Sequence, residues 1–379
     1  MKILLVSNYY YPEHLGGVET VSYHLTKHYR KFSHEVRWVA ADVPPKLRAA
    51  SKDDVPISSW NITEQKLGFP SPLPHPNVLK KLFNHIKWCD IVHLQDCLYL
   101  INILVFIVAK FLKKPVLITQ YAKFIPYAQS YKRILQAAGY RTIGSMMFHF
   151  SNKIVFITSN VRDGMKYLAP RKQLDVVPLG VDTDFYRPVS VSERYILRKK
   201  TTNDPSIPII LFVGRMVERK GAHLVRSIVE KHKEWNWVFV GRPDDYNPGE
   251  WGCSNLQYFQ NVSEAELRDF YAMADILVHP SIGEGFTLIA SEAMACGTPV
   301  VISEESLHEI DMQDRNLFFS TKPTTASIEK ALQNVLADIP GLNNLRPKIR
   351  EYTLARLSWE KMCEQYFEIL NDMVVRNIQ

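Results

Sequence analysis

The sequence predicts an α/β protein with two doubly wound, mainly parallel β-sheets, one in each of two domains that face each other across a cleft. Its 379 residues exceed the ~100–200 residues of a typical single domain. Short β-branched runs alternate with longer helical stretches, and the alternation restarts in the second half of the chain. This strand–helix–strand rhythm is typical of a parallel sheet covered by helices on both faces.

The first series of elements begins at the N-terminus. Its helices are expected at residues 18–32 and 98–113. Residues 43–78 are rich in proline and polar side chains, so we expect a loop region there. The predicted strands of this series are residues 3–6, 34–39, 91–94, 116–119 and 153–157.

The second series follows a stretch of turn-forming and polar residues, 176–208, where we place the hinge. The first domain would therefore cover residues 1–186 and the second domain residues 187–359. Ligands of open α/β sheets bind beyond the carboxyl ends of the strands, so the site is expected there. The second series comprises a helix at residues 222–233 and strands at residues 209–213, 237–240, 276–278 and 300–302.

Charge is distributed unevenly along the chain. Residues 1–186 contain 24 Lys and Arg against 13 Asp and Glu, a net charge of +11, whereas residues 187–379 contain 22 against 26, a net charge of −4. A basic first half favours anionic partners such as phosphates, anionic lipid head groups or nucleic acid. We recognise no nucleic-acid recognition fold or aromatic–basic platform in the sequence, so no nucleic-acid partner is expected.

Cysteine usage and the N-terminus predict a cytoplasmic protein. The five cysteines are widely spaced and form no zinc-ligand pattern, and the apolar run at residues 3–6 is too short for a signal-peptide core. Residues 98–112 are the most apolar stretch, but they fall short of the ~20 residues that span a bilayer. They fit a buried helix; a helix that dips into the membrane surface, helped by Lys110, Lys113 and Lys114, is the alternative.

The most informative motif lies at residues 283–301. Glu284 and Glu292 are separated by seven residues, and Gly285 follows the first of them. A helix that begins near Phe286 would direct the N–H groups of residues 286–288 at an anion. Glu292 would lie roughly 6–8 Å further along this helix, at ~1.5 Å per residue, which suits contact with a ribose when a phosphate binds the helix N-terminus.

Two further segments follow predicted strands directly. Arg215 and Lys220 lie beyond the strand at residues 209–213, where the planar fork of arginine and the compact charge of lysine can hold a diphosphate. Gly16 and Gly17 follow the first strand of the chain, and glycine lets a backbone approach a ligand closely. The sequence contains neither G-x-G-x-x-G nor G-x-x-x-x-G-K-[ST], which argues against a dinucleotide site and a P-loop.

Together these segments resemble the retaining, nucleotide-sugar-dependent glycosyltransferases of family 4 and group 1, which have two Rossmann-like domains in the GT-B arrangement. The resemblance spans nearly the whole chain and includes the Pro-Leu-Gly-Val-Asp string at residues 178–182. It implies that Arg215, Lys220 and Glu284 are catalytic and that Glu292 hydrogen-bonds the donor ribose. It also implies that a last helix, residues 360–379, packs back on the first domain. The other donor-binding residues that it implies are Gly16, Gly17, Asn261, Val262, Gly285, Phe286, Thr287 and Leu288.

One position departs from the family pattern. A histidine often follows the strand that matches residues 116–119, near the transferred sugar, whereas this chain has Tyr121. Tyr121 and Glu19 are expected on the sugar and acceptor side. The tyrosine is compatible with a hydroxyl contact to the sugar, with a different donor or with a weaker catalyst.

The resemblance implies a hexosyltransferase that moves a sugar from a UDP- or GDP-sugar to a hydroxyl of a glycan or lipid-linked acceptor, with retained configuration and without a metal or other cofactor. A role in cell-surface polysaccharide or glycolipid biosynthesis would follow. Asp182 and Asp184 form a D-x-D string, but a similar string in the family binds no metal. A nucleotide-sugar-binding protein with weak or lost activity, and a glycoside hydrolase that uses Glu284 and Glu292, are the alternatives.

A basic, partly apolar segment bears on localisation. Lys132, Arg133, Arg141 and Lys153 are interleaved with apolar residues such as Ile134. This pattern fits a peripheral contact with anionic lipid on the inner face of a membrane, which would bring the protein to a lipid-linked acceptor. Solvated basic residues over an ordinary core are the alternative interpretation.

Overall fold

The chain forms two compact units in the computed structural model, which describes residues 1–14, 16–43, 53–67, 71–124, 129–202, 204–282 and 287–378. The first unit comprises Met1–Pro178 and Met362–Gln379, and the second comprises Leu179–Lys361. Each unit contains its own doubly wound α/β sheet, so the predicted fold class is confirmed.

The first sheet has eight strands in the order β4-β3-β2-β1-β5-β6-β7-β8. All neighbouring strands are parallel except β3 and β4, which are antiparallel. The central strands are buried on both faces, as their continuous apolar runs indicate. The strands are β1 (Lys2–Val6), β2 (Glu35–Asp42), β3 (Asp54–Trp60), β4 (Leu73–Pro74), β5 (Ile91–Gln95), β6 (Val116–Gln120), β7 (Lys153–Phe156) and β8 (Leu174–Val176).

The prediction of a loop at residues 43–78 is wrong for the part that contains β3. This strand pairs in parallel with β2, and its Val55 and Ile57 are buried in the first core. Pro56 and the serines of the strand conceal the alternation in the sequence. The helices of this unit are α1 (Gly17–Lys31), α2 (Ile62–Leu67), α3 (Leu79–Trp88), α4 (Leu100–Phe111), α5 (Ser130–Gly139), α6 (Ser145–Phe150) and α7 (Ser159–Met165).

The second sheet has six parallel strands in the order β11-β10-β9-β12-β13-β14. Its core lies on both faces of the sheet, against helices whose N-termini are capped by side chains such as Ser190 and Ser263. The strands are β9 (Ile209–Val213), β10 (Asn236–Val240), β11 (Leu256–Phe259), β12 (Ile276–His279), β13 (Val300–Ser303) and β14 (Phe319–Thr321). The remaining helices are α8 (Val191–Thr201), α9 (Ala222–Lys231), α10 (Glu264–Met273), α11 (Leu288–Ala295), α12 (Glu304–Leu307), α13 (Thr325–Leu336), α14 (Ile339–Arg356) and α15 (Trp359–Ile378).

The chain passes from one unit to the other after Pro178 and again after Lys361. The first crossing precedes residue 186, where the sequence placed the boundary, because Val181 already belongs to the second unit: its N–H donates to Leu357 O, and its own carbonyl accepts from Trp359 N. Beyond Lys361, helix α15 packs on the first unit. There the hydroxyl of Tyr366 lies 2.9 Å from Thr119 Oγ1 of β6.

Candidate functional site

The second sheet has a topological switch point between β9 and β12. From β9 the chain builds outward through β10 and β11 on one side, and from β12 through β13 and β14 on the other. The loops that leave the carboxyl ends of β9 and β12 therefore diverge and leave a crevice at the sheet edge. The candidate residues of this unit lie on these loops and on the helices that follow them.

Arg215 follows β9 and is held by an acidic partner. Its Nε atom donates to Asp244 Oδ2 at 2.6 Å, and its side chain is 59% exposed. The neighbouring Asp245 accepts from the backbone N–H of Glu218 at 3.2 Å, at the start of the short turn that carries Lys220. Sequence reasoning missed both aspartates, whose signal was only an Asp-Asp pair in the loop after β10. Asp244 orients Arg215, and Asp245 holds the start of the turn that carries Lys220.

Lys220 ends a one-turn 3₁₀ helix, Glu218–Lys220, and its side chain lies over Gly214. A Cβ atom built on Gly214 would be 3.8 Å from Lys220 Cδ and 3.9 Å from Ile289 Cδ1. The next residue, Gly221, has φ +79°, and a Cβ there would lie 2.9 Å from Pro280 Cγ in the loop after β12. The structure thus brings Lys220 close to the first turn of α11.

Helix α11 begins at Leu288, two residues later than the position near Phe286 that the sequence predicted. The reason is that Thr287 is its N-cap, with a hydroxyl that accepts from Ala290 N at 3.5 Å and lies 3.2 Å from His279 Nε2. Two other predicted residues of the motif, Glu284 and Gly285, lie with Phe286 outside the described residues.

Glu292 lies one turn along α11 and is half-buried, and a tyrosine hydroxyl donates a hydrogen bond to its carboxylate. Tyr271 Oη donates to Glu292 Oε2 at 2.8 Å, and Tyr186 packs edge to face against Tyr271, with ring centroids 6.0 Å apart. Burial raises the pKa of Glu292 to about 7, with a further contribution from Glu264, while the two tyrosine hydroxyls oppose the rise. Sequence reasoning missed both tyrosines because each has the character of an ordinary core aromatic.

Three more residues of the second unit were singled out in the sequence. Asn261 adopts a left-handed conformation, φ +53°, in the turn before α10, and Val262 packs against the second core. Asp182 closes a tight turn, because its Oδ1 accepts from Asp184 N at 3.1 Å and from Phe185 N at 2.9 Å.

In the first unit, the glycine pair lies at the N-terminus of α1. Gly16 is the N-cap, and a Cβ there would overlap the carboxylate of Glu19, whereas a Cβ at Gly17 would meet nothing within 4 Å. Glu19 is only 7% exposed. Burial raises its pKa, and a hydrogen bond from its own backbone N–H and the nearby His14 oppose the rise. Gly16 therefore makes room for an acidic side chain over the helix N-terminus.

Tyr121 follows β6, at the same edge of the first sheet. Its hydroxyl donates to Gln95 Oε1, at the end of β5, at 2.5 Å. Burial raises the pKa of Tyr121 well above its ordinary value, with smaller contributions from Tyr366, Tyr29 and Glu19, so the phenol remains neutral. Gln95 is a partner on the edge of the first sheet that sequence reasoning missed.

The predicted residues thus form two groups, one in each unit. In the second unit, Arg215 and Lys220 follow β9 and Thr287, Leu288 and Glu292 follow β12, the two strands that flank the switch point, and Lys220 lies beside the first turn of α11. In the first unit, Gly16, Gly17 and Glu19 follow β1 and Tyr121 follows β6, at the carboxyl edge of the sheet. No helix within the described residues is both long enough and apolar enough to cross a membrane.

Two doubly wound units that carry their candidate residues at the carboxyl edges define a two-domain, Rossmann-like α/β protein. The chain belongs to the glycosyltransferases of group 1 and family 4. The family model described as Glycosyl transferases group 1 matches residues 193–354, and the model described as Glycosyltransferase Family 4 matches residues 15–185. The resemblance stated from the sequence is confirmed.

Curated relatives match parts of the chain. The chain is 35% identical to the D-inositol 3-phosphate glycosyltransferase of Xylanimonas cellulosilytica over 36% of each protein. It is 26% identical to the N,N'-diacetylbacillosaminyl-diphospho-undecaprenol alpha-1,3-N-acetylgalactosaminyltransferase of Campylobacter jejuni over 46% of this chain and 48% of that one. The chain spans about a third of the length of the inositol phosphate glycosyltransferases that it matches.

Solved structures match over nearly the whole length. Sucrose-phosphate synthase from Thermosynechococcus elongatus has a TM-score of 0.74 at 17% identity and covers 99% of each chain. Alr3699/HepE of Anabaena, in complex with UDP-glucose, has a TM-score of 0.71 at 16% identity, over 98% of this chain and 100% of that one. At 16–17% identity, the similarity to these two structures shows that the fold is the same and nothing beyond the fold.

Proposed function

We propose that the chain is a retaining glycosyltransferase that moves a sugar from a nucleoside-diphosphate sugar to a hydroxyl of a glycan or lipid-linked acceptor, without a bound metal. The observation that carries the proposal is that Lys220 lies beside the first turn of α11 at the switch point of the second unit, with Arg215 on the same loop after β9. Two cations and a helix N-terminus form a site for a diphosphate.

Membership of the family and the ligands of its relatives support this donor. The HepE structure is a complex with UDP-glucose, and the names of the matched relatives are those of glycosyltransferases. The name of the Campylobacter jejuni relative includes a diphospho-undecaprenol, which is a lipid-linked acceptor. By analogy we place this chain in cell-surface glycan or glycolipid assembly.

The donor-side chemistry follows from the charges of the second unit. Arg215 and Lys220 would neutralise the diphosphate as the bond from the anomeric carbon to its phosphate oxygen breaks. The acceptor hydroxyl would attack the same face of the sugar, and its proton would pass to the departing phosphate oxygen. This route needs no enzymic nucleophile and retains the anomeric configuration. Glu292, beyond the phosphates on α11, would accept hydrogen bonds from the ribose.

The acceptor side is assigned to the first unit. Gly16 and Gly17 let the backbone at the start of α1 approach a ligand, and Glu19 and Tyr121 supply polar groups at the same sheet edge.

Gly285 and Glu284 would complete the donor side at the transferred sugar, as the family resemblance implies. Thr287 and Leu288 would contribute the helix N-terminus, and Asn261 and Val262 would border the base.

Thermal shift of the full chain tests the donor site. We expect UDP, GDP or ADP to raise the melting temperature equally with and without EDTA, since the positive charge comes from side chains. The shift should disappear in Arg215→Ala and Lys220→Ala, because each removes a phosphate contact, equivalent to ~1.5–3 kcal/mol for a charged hydrogen bond. Arg226→Ala is the matched control, since Arg226 is an exposed arginine of the same unit that pairs with Glu230.

The alternatives give different results. A chain that binds nucleoside diphosphates but releases no sugar from any conjugate would be a binding protein with lost activity. Sugar release from a simple glycoside, without nucleotide and dependent on Glu292, would identify a glycoside hydrolase. NMR of the first product decides the stereochemistry, because inversion at the anomeric carbon would contradict the proposed route.

We also propose that the first unit contacts an anionic membrane surface. Residues 130–150 form one helical segment, in which the π-helical stretch Tyr140–Gly144 joins α5 to α6. Exposed apolar side chains recur along it at helical spacing, as expected of a helix that lies in a membrane interface, and Arg133 and Arg141 are exposed beside them. These side chains are Tyr131, Ile134, Leu135, Ile143, Met146 and Phe150.

Vesicle flotation tests this contact. We expect binding to vesicles that contain phosphatidylglycerol and little binding to pure phosphatidylcholine. Replacing Arg133 and Arg141 together with glutamine should weaken binding at least tenfold, since a basic residue near an anionic surface contributes ~1 kcal/mol. Ile134→Gln should also weaken it, whereas Ile196→Gln, at an apolar residue that is 51% exposed in the second unit, should not. Equal binding to both vesicle types would refute the proposal.

A further inference from the structure

An exposed tryptophan lies at the carboxyl edge of the first sheet. Trp60 is the last residue of β3, and its side chain is 42% exposed. It pairs with Leu73 of β4, and its ring packs against the ring of His75, with centroids 4.2 Å apart and planes tilted by 34°. The backbone N–H of His75 donates to Ser58 O at 3.0 Å, which fixes the second ring to β3. We call Trp60 and His75 the aromatic platform.

A carboxylate is held in a fixed orientation close to the platform in the chain. Glu64 lies on α2, four residues after Trp60, and is exposed. Its Oε2 accepts from Tyr9 Oη and from Asn61 Nδ2, both at 2.9 Å. Among the residues that the structure describes, no donor reaches Oε1. This second oxygen can therefore accept a hydrogen bond from a ligand.

Tyr9 connects this carboxylate to the acceptor side of the first unit. It lies after β1, the strand that also leads to Gly16 and Glu19, and its ring stacks on His14 with centroids 3.9 Å apart. Strands β1, β2 and β3 are neighbours and parallel, so their carboxyl ends lie at one edge of the sheet. At ~4.8 Å per strand, β3 lies ~10 Å from β1, which is further than one pyranose ring reaches.

The chemistry of these groups favours a sugar as the ligand. One face of a pyranose ring carries C–H groups that pack against an aromatic ring, while the hydroxyls at its rim donate hydrogen bonds. The indole of Trp60 and the free oxygen of Glu64 offer these two contacts. Exposed Ile62 and Leu73, at 44% and 41%, extend the apolar surface around the indole. The negative charge of Glu64 disfavours a phosphate or an anionic lipid head group at the same place.

We propose that the aromatic platform and Glu64 form a second acceptor subsite, which binds an inner sugar of an oligosaccharide whose terminal sugar lies beside Glu19 and Tyr121. The inference rests on the proposed function, which assigns the acceptor to this edge of the first unit. It makes the acceptor a glycan of several linked rings rather than a monosaccharide. Acceptors long enough to reach Trp60 then bind more tightly than shorter ones.

A glycan array tests the subsite on the full chain. The probes are bacterial surface oligosaccharides, each printed beside its own terminal monosaccharide. We expect the oligosaccharides to bind about tenfold more tightly than the monosaccharides, and Trp60→Ala to remove this difference because it removes the stacked ring. Trp60→Phe keeps an aromatic ring and should retain most of it. Phe111→Ala is the matched control, since Phe111 is 80% exposed at the end of α4, at the opposite edge of the same sheet.

An oligosaccharide that binds on the array then serves as the acceptor in a kinetic test. Trp60→Ala should raise its KM about tenfold and leave kcat unchanged, because the platform is remote from the reacting hydroxyl and is contacted equally in the ground state and the transition state. Glu64→Gln should also raise KM, because it replaces a charged acceptor of hydrogen bonds by a neutral one. Both variants should keep the kinetic constants for the monosaccharide.

The outcomes separate this inference from the proposed function. The subsite would be refuted by an array without glycan binding, by equal affinity for oligosaccharides and monosaccharides, or by equal losses in Trp60→Ala and Phe111→Ala. Binding to phosphatidylglycerol vesicles that depends on Trp60 would assign the patch to lipid and would also refute it. The thermal shift with nucleoside diphosphates reports the donor site independently. Its absence in the unaltered chain would refute the proposed function and, with it, the acceptor role of the platform.

Discussion

Replacing Asp275 with alanine is expected to destabilise the second unit by about 3–5 kcal/mol, because it leaves two arginines without their shared partner. Asp275 is 5% exposed and immediately precedes β12. Its Oδ1 accepts from Arg194 at 2.6 Å, and its Oδ2 accepts from Arg198 at 2.7 Å and from the backbone of Ile209 at 2.8 Å. The carboxylate therefore anchors α8 to the first residues of the two strands that flank the switch point.

Chemical denaturation followed by tryptophan fluorescence would measure this effect on the full chain. Asp163→Ala is the control, because Asp163 pairs with Arg162 at the surface and such pairs contribute at most about 1 kcal/mol. Burial alone would raise the pKa of Asp275, but Arg198 and Arg194 lower it below its ordinary value. The stabilisation by Asp275 is therefore complete above roughly pH 4 and is lost as the pH falls through the lowered pKa. The free energies of unfolding of Asp275→Ala and of the unaltered protein should therefore converge in acid. Equal stabilities at pH 7 would contradict the prediction.

Most of the fold could be predicted because its strands are buried on both faces. Such strands appear as short, uninterrupted apolar runs, for example residues 209–213, and the alternation with helices then indicates a parallel sheet. Strand β3 was not predicted, because only Val55 and Ile57 of its apolar residues belong to the core and Pro56 lies between them. Its place beside β2 depends on tertiary pairing, which local composition does not reveal.

The sequence predicted those candidate site residues that directly follow a strand and have a side chain suited to binding the ligand. Arg215 and Lys220 follow β9, so the topology alone places them at the carboxyl edge of the sheet. The residues that orient them were not predictable. Asp244 reaches Arg215 from another loop, and Tyr271 reaches Glu292 from another helix, α10. No periodic pattern connects such partners, because they meet only when the sheet has formed.

Gly241→Ala is expected to disrupt the loop that carries Arg215, although it adds only one methyl group. Gly241 follows β10 with φ +144°, and its N–H donates to Phe259 O at 3.0 Å. A Cβ atom there would overlap the carbonyl oxygen of Gly214 and lie 2.7 Å from its carbonyl carbon. Because the obstacle is backbone, the loop after β9 must move. We expect a loss of about 3 kcal/mol or more, from overpacking and from an alanine in a strained conformation.

Gly252→Ala separates the two contributions. Gly252 also has a positive φ, +66°, but a Cβ there would meet nothing within 4 Å. It therefore reports the conformational strain alone, which we expect to cost about 1–2 kcal/mol. Thermal unfolding would compare the two variants, and nucleoside diphosphate affinity should fall at least tenfold in Gly241→Ala and remain unchanged in Gly252→Ala. If the two variants lost equal stability and both bound nucleotide normally, the close approach of Gly241 to Gly214 would not be what fixes Arg215, and its position would depend on the ion pair with Asp244.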